Sequence, residues 1–322
     1  MNDGIVVVTG AAGFVGRALC AHLAALSRAH RGIVRVADHA LPGTEQVAIG
    51  DLATASDAEL AATVAGATAV VHLAGRAHVM RERRADAAAR YHAANVVATE
   101  RLARAARQAG VMRFVLASTI KVHGETTSSG RPFRADDPLA PQDAYGRSKA
   151  AAEAALAAAC ADTPMAPIVL RLPLVYGPRV KGNFLALVDA VARRARLPFA
   201  GIANRRDLLY VGNLAHAIVR LLDDPEPPSG PWLVADGEAM STPELVRHVA
   251  AALSIEPHLV KVPVPLLSLG GWLTRRRSMV DRLVSSLEVD AAPLRRRIGV
   301  PPFTIEQGLA DTAAWWRGRH AI

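Results

Sequence analysis

The chain has 322 residues, 51% of them hydrophobic and 21% charged, with a formal net charge of +9, enough apolar material for one large core or a main domain with an appended lobe. No apolar run reaches the roughly 18 residues of a membrane span, since the longest, Val262 to Leu273, is broken by Pro263, Pro265, Gly270 and Gly271; Met1 to Val8 run straight into a strand-like stretch with no signal-peptide pattern. Cys20 and Cys160 stand far apart in alanine-rich stretches, which excludes a disulfide scaffold and a cysteine metal site and points to a reducing compartment, so a cytoplasmic location is expected.

In chain order, short apolar runs alternate with alanine-rich helical stretches. Ile5 to Thr9, Ile33 to Ala37, Ala69 to Leu73, Phe114 to Ser118 and Ile168 to Leu172 are predicted strands, with a further short strand before Gly50. Helices are predicted over Gly16 to Arg28, Asp86 to Gly110 and Tyr145 to Cys160. Strands that are apolar on both faces and separated by helices imply an α/β fold, a doubly wound parallel sheet covered on both sides. After Pro173 the alternation weakens and proline-rich segments such as Asp224 to Pro231 intervene. The expected organisation is a main domain over 1–173 and a smaller substrate-binding lobe over 174–322, with some later segments returning to the main domain. A doubly wound sheet binds its ligand at the carboxyl ends of its strands, in the crevice facing such a lobe.

The first strand runs into Thr9-Gly10-Ala11-Ala12-Gly13-Phe14-Val15-Gly16 at the start of the first helix. This is a Rossmann-like phosphate loop. Gly10 and Gly13 let the backbone turn and approach a pyrophosphate, Gly16 lets helix and strand pack, and the helix amino terminus faces the negative charge. About twenty residues on, Asp38 at the end of the second strand offers a carboxylate to the adenosine ribose hydroxyls, which favours NAD, with NADP as the alternative. Arg35, on the same strand, reads as a solvent-facing side chain. Asp51 in Gly50-Asp51-Leu52 follows the third strand and is placed either to hold the adenine or to cap a helix.

Tyr145 and Lys149 in Tyr145-Gly146-Arg147-Ser148-Lys149 are four apart at the start of a helix, so both side chains share one face. A phenol ionises near pH 10; a neighbouring ammonium and a cationic nicotinamide ring favour its phenolate and bring it toward useful proton transfer. Behind a dinucleotide loop, that pair reads as an acid and base for hydride chemistry.

These motifs, with His72-Leu73-Ala74-Gly75, Asn95 in Asn95-Val96-Val97-Ala98-Thr99 and Tyr176-Gly177-Pro178, resemble the extended short-chain dehydrogenases/reductases of the nucleotide-sugar epimerase/dehydratase family over nearly the whole chain. The resemblance implies that Thr119, in Ser118-Thr119-Ile120-Lys121-Val122-His123-Gly124, completes a catalytic set with Tyr145 and Lys149, Ser118 being the second choice. It implies cofactor contacts from Gly10, Ala12, Gly13, Phe14, Val15, Gly16, Asp38, Asp51, Leu52, Leu73, Ala74, Gly75, Asn95 and Pro173 besides Tyr145 and Lys149. Lys121, Asn183, Arg206 and Arg282 are the implied contacts to a nucleotide-diphosphate sugar. It also implies a homodimer through the alanine-rich helices around Asn95 and Tyr145.

Sugar dehydratases of this family place an aspartate and a glutamate after the threonine, where this chain has Ile120 and Lys121, so 4,6-dehydration is not expected. Two reactions at C4 remain, a 4-keto reduction with recycled NAD(P)H and a 4-epimerisation with retained NAD. The stretches Lys121 to Glu125, Arg171 to Pro178 and Val180 to Phe184 resemble reductases of UDP-4-keto-6-deoxy-N-acetylhexosamines in surface polysaccharide synthesis. Leu174 replaces an asparagine common among epimerases, and the sequence therefore leans to the reductase, with the epimerase as alternative. A non-catalytic NAD(P)-binding regulator is the reading from another class; the retained Thr119, Tyr145 and Lys149 argue against it. The eleven histidines form no ligand pattern, and no metal is expected. Arg275 to Arg277 and Arg295 to Arg297 lack interleaved aromatics and any groove-reading motif, so no nucleic-acid partner is expected. The first cluster follows apolar Leu266 to Leu273, which leaves room for contact with a membrane surface if the substrate is lipid-linked.

Overall fold

The computed structural model describes residues 4–38, 41, 43–77, 84–128, 130–267 and 277–320. Its centre is a seven-stranded, all-parallel sheet of order β3-β2-β1-β4-β5-β6-β9. The strands are β1 (Ile5–Thr9), β2 (His30–Val34), β3 (Glu45–Ala48), β4 (Ala67–His72), β5 (Arg113–Thr119), β6 (Ala166–Leu172) and β9 (Gly230–Leu233). Val6, Val7 and Val8 of the central strand are wholly buried, as are Phe114, Val115 and Leu116 of β5. Each such side chain stabilises the fold by about 1.5–3 kcal/mol. The order of strands reverses direction between β1 and β4, which opens a crevice at their carboxyl ends.

Strand β2 begins three residues earlier than the β-branched run suggests. Val6 pairs with His30 and Thr9 with Ile33, and the His30 ring is anchored by the Arg28 carbonyl and Thr44. Pairing on the other side ends where Val34 meets Ala48, so Arg35, Val36 and Ala37 project beyond the sheet and are exposed. The expected helix over 86–110 is divided. Helix α3 (Arg84–Tyr91) passes through a π-helical stretch, His92–Val97, into α4 (Ala98–Gln108). A widened turn of this kind often marks a functional position, and Asn95 lies inside it.

Helices α1 (Phe14–Ala25), α2 (Asp57–Val64), α4 and α5 (Ala144–Cys160) cover the sheet. The chain beyond Pro173 forms a two-stranded parallel pair, β7 (Leu174–Tyr176) with β8 (Leu208–Tyr210), and helices α6 (Gly182–Ala192) and α8 (Thr242–Ala252). It also adds elements to the main body: α7 (Val211–Asp223) packs on α1, and β9 extends the sheet beside β6. A separate apolar cluster of Tyr176, Phe184, Val188, Tyr210 and Val246 holds α6, α8 and the β7–β8 pair together. The remaining helices are α9 (Arg277–Val284), α10 (Ala292–Ile298) and α11 (Ile305–His320). Arg295 to Arg297 form the last turn of α10, where cations favour the helix dipole, and Arg297 pairs with Asp224 at 2.6 Å. Residues 268–276, with most of the apolar segment and Arg275 and Arg276, lie outside the described residues. Among the described residues no helix is long and apolar enough to cross a membrane.

Candidate active site

The loop between β1 and α1 is built so that only glycine fits. Gly10 adopts φ +67°, and a Cβ there would lie 2.8 Å from the Ala74 amide nitrogen. A Cβ on Gly16 would strike the Gly10 carbonyl. Gly13 is the exposed N-cap of α1; it offers no capping side chain, and the first turn carries no acidic residue. Open helix amides without a competing carboxylate suit an anion such as a dinucleotide pyrophosphate. The Thr9 hydroxyl bonds His72 Nδ1 at 2.7 Å and accepts the Ala74 amide at 3.2 Å, joining this loop to Leu73-Ala74-Gly75. Burial drives His72 down to about 3, with Lys149 adding to the effect, so its ring is neutral.

Asp38 stands four residues past the end of β2 rather than at its terminus, because the strand stops at Val34. It is paired with Arg17 of α1, whose Nε also donates to the Ala12 carbonyl at 3.0 Å. Arg17 therefore links the phosphate loop to the carboxylate expected to meet the ribose, a link absent from the sequence reading although the residue directly follows Gly16. Arg35 is exposed. Asp51 is exposed and organises a turn, its side chain accepting the Ala53 amide at 3.0 Å; the helix cap is Ser56 instead. Leu52 is buried beside it, and Pro173 is buried between β6 and β7.

The end of β5 and the start of α5 bring the catalytic candidates together. The Thr119 side chain lies near enough to Tyr145 to favour its phenolate. Lys149, one turn further along α5, is buried; Gly75 lies between it and Asn95, where an added Cβ would be 4.0 Å from the Lys149 nitrogen. Asn95 is locked by the Arg76 backbone at 2.7 and 3.1 Å and donates to Ser148 Oγ at 2.9 Å, which ties the π-helical turn to α5. Burial pushes the Tyr145 phenol up to about 12, helped by the Asp143 charge and against the Thr119 hydrogen bond. The drop toward neutral pH expected from the sequence is thus not produced by the chain's own groups, because desolvation of the buried phenol dominates. Burial likewise lowers Lys149 to about 8, opposed by Glu153.

Ser118 faces elsewhere, because adjacent residues of a strand point to opposite faces. Its hydroxyl donates to Glu153, which is paired with Arg171 at 2.7 Å. Glu153, Arg171 and Asp143 were not singled out in the sequence. The available signals were a carboxylate four residues after Lys149 on the same helical face and an arginine inside the apolar run of β6.

Lys121 is held by two carboxylates, Asp143 at 2.7 Å and Glu125 at 2.8 Å. Asp143 also caps α5 by accepting the Gly146 amide at 2.6 Å. Glu125 reaches Arg282 at 3.7 Å, and burial together with the Arg282 charge brings Arg206 down to about 10, against the pull of Glu125. A chain of alternating charges therefore runs from the amino end of α5 to the two arginines expected to meet a diphosphate. Arg206 is oriented by the Ser285 carbonyl at 2.9 Å. Asn183 is exposed near the start of α6, apart from any contact to this chain of charges recorded among the described residues. Those residues contain no group of three or more metal-ligating side chains.

The family described as "NAD dependent epimerase/dehydratase family" matches residues 6–235. The chain belongs to that family. A UDP-glucose 4-epimerase of Vibrio cholerae is 38% identical over 313 residues, covering 96% of this chain and 94% of that protein. A 2-alkyl-3-oxoalkanoate reductase of Stenotrophomonas maltophilia is 28% identical over 94% of this chain and 97% of its own. Among solved structures, MoeE5 in complex with UDP-glucose and NAD superposes with a TM-score of 0.78 at 27% identity, covering 98% of this chain and all of that one. Family membership agrees with the phosphate loop and the Thr119, Tyr145, Lys149 set, and the family's cofactor is NAD.

Proposed function

We propose that the chain is an epimerase acting at C4 of a UDP-hexose or UDP-N-acetylhexosamine with NAD retained in the site. The observation that carries this reading is the gathering of Thr119, Tyr145 and buried Lys149 at the end of β5 and the start of α5, in a chain 38% identical across nearly its whole length to a UDP-glucose 4-epimerase. That likeness favours the epimerase over the 4-ketoreductase toward which the sequence leaned. The loop from Gly10 to Gly16, Asp38 with Arg17, the Leu73 to Gly75 turn and Lys149 would hold the dinucleotide. Bound NAD supplies an acceptor for the C4 hydride and a positive ring.

In this mechanism Thr119 hydrogen-bonds the C4 oxygen and Tyr145 takes its proton as the hydride leaves C4. Once the sugar has turned, Tyr145 would return the proton to the C4 oxygen, with bound NAD able to supply hydride to the opposite face. Lys149 holds positive charge beneath the phenol. Arg206 and Arg282 grip the diphosphate, which is the axis about which the sugar swings. The chain works as a homodimer in the cytoplasm; the exposed face Ala151, Ala154, Ala157 and Ala158 of α5 suits close helix packing.

The test is to incubate purified protein with UDP-glucose and, separately, UDP-N-acetylglucosamine without added cofactor, and to separate the products by chromatography. A C4 epimer, with NAD released on denaturation, supports the proposal. The second reading, 4-ketoreductase, draws on the exposed Leu174 in the asparagine position; stoichiometric oxidation of NADH by a UDP-4-keto-6-deoxy-N-acetylhexosamine, with no epimer in the first experiment, would replace the proposal with it.

A further inference from the structure

Beneath the Tyr145–Lys149 pair lies a buried ionic network that the mechanism above does not use. Glu153, 8% exposed, sits one helical turn beyond Lys149 on α5. From β5 the Ser118 hydroxyl donates to its Oε1. From β6 the Arg171 guanidinium donates to both of its oxygens, at 2.7, 3.1 and 3.3 Å. Arg171 in turn donates to His123 Nε2 at 2.8 Å and to the Ala135 carbonyl at 2.8 Å. His123 is kept neutral by burial and by Arg171, against the pull of Asp137 and Glu153.

A buried ion pair of this kind is a weak source of stability, since desolvation consumes most of its Coulomb energy. Its position suggests another use. Ser118 is the neighbour of Thr119, and Glu153 is the neighbour, at helical spacing, of Lys149. The carboxylate therefore joins the side chain next to Thr119 on β5 to the helix that carries Lys149. Around Lys149 the other titratable groups are neutral His72 and Tyr145, and the charge that favours the ammonium is that of Glu153.

We propose that Glu153 is a positioning residue of the hydride-transfer site: through Ser118 it fixes the end of β5 against α5, and through its charge it keeps the Lys149 ammonium protonated at neutral pH. The inference rests on Tyr145 and Lys149 acting as the catalytic pair. Arg171 lets the carboxylate remain ionised in the core, and neutral His123 fixes Arg171 without adding a competing charge.

Three variants of the holoenzyme test it: Glu153→Gln, which keeps an oxygen for Ser118 but loses the charge; Ser118→Ala, which loses the tether but keeps the charge; and Glu153→Gln/Arg171→Gln, which leaves no unpaired guanidinium should the single variant fail to fold. In the wild type the pH profile of kcat should fall on the alkaline side near the Lys149 value of about 8. In Glu153→Gln and in the double variant that fall should move about one pH unit or more toward acid, with KM for the UDP-sugar unchanged. Ser118→Ala should lower kcat without moving the fall. A loss uniform across pH in the Gln variants, an equal shift in Ser118→Ala, or a wild-type profile flat across this range would each overturn the inference. Nuclear magnetic resonance titration of the Lys149 side chain, assigned as the signal missing from a Lys149→Met protein, needs no sugar and so separates this outcome from failure of the proposed reaction. The ammonium should lose its proton at lower pH in Glu153→Gln, and an unmoved titration would also overturn the inference.

Discussion

At the scale of single residues, the site's chemistry depends on desolvation. Tyr145 is surrounded closely enough that burial outweighs the favourable hydrogen bond from Thr119, so its proton is held until a positive group arrives against it. Tyr145→Phe removes the hydroxyl and keeps the ring tilted against Tyr91, whose centroid lies 6.0 Å away. Turnover should fall by about 10²–10⁴-fold with little change in KM, measured by steady-state kinetics on the epimerisation. Arg282 has the opposite role. It is half-exposed and only loosely engaged by Glu125 at 3.7 Å, so it is available to a diphosphate; Arg282→Ala should raise KM about 10-fold and leave kcat nearly unchanged.

Elements meet at the carboxyl edge of the sheet through a few polar ties, and the Thr9–His72 tie between β1 and β4 is the most constrained. His72 is depressed from 6.5 to about 3 because its charged form is desolvated. Its contribution to stability is fully present above the unfolded value of about 6.5 and is lost as pH falls toward the folded value, because the unfolded chain takes up the proton first. Replacing it by asparagine, which offers Thr9 an oxygen and never titrates, should flatten the acid side of the stability profile. Chemical denaturation at about pH 7 and about pH 5 should show a loss smaller by about 2 kcal/mol in His72→Asn than in the wild type. Asp207 and Asp236, raised to about 6 chiefly by burial, act in the reverse direction in both proteins and cancel from the comparison. The neighbouring loop is set by shape instead of charge. Gly10→Ala must place a Cβ against the Ala74 nitrogen at 2.8 Å with φ +67°, costing about 1–2 kcal/mol from the backbone conformation alone and lowering the NAD that copurifies with the protein.

Across the whole molecule, the main sheet and the elements after Pro173 are joined by exchange of segments. The sheet acquires β9, α1 acquires α7, and the strip from Arg205 to Asp207 pairs its backbone with Met240 and Leu287. Arg206 is thereby carried on backbone tied in several places, a rigid support for the diphosphate contact proposed for it. Helices α4 and α5 pack on each other, and α5 turns small side chains outward. Ala154→Arg on that exposed face should leave the circular dichroism spectrum unchanged and convert a dimer to a monomer in light scattering; a wild-type protein that is already monomeric removes the proposed dimer.

Much of this was legible in the linear chain because it depends on local rules. Glycine at 13 and 16 is dictated by steric exclusion between atoms close in sequence and glycine at 10 by a left-handed turn, the Tyr145 and Lys149 spacing by helical geometry, and the parallel sheet by strands apolar on both faces. Tertiary structure decided the rest. The start of β2 was set by its register with β1 and β3, the direction of the Ser118 hydroxyl by the pleat of β5, and the engagement of Lys121 by the approach of Asp143, 22 residues on, beside Glu125. The Tyr145 phenol was raised rather than lowered because desolvation is a sum over everything packed around a group. Local sequence specifies which residue types stand ready; only the folded chain determines which of them lose water and which charge each one meets.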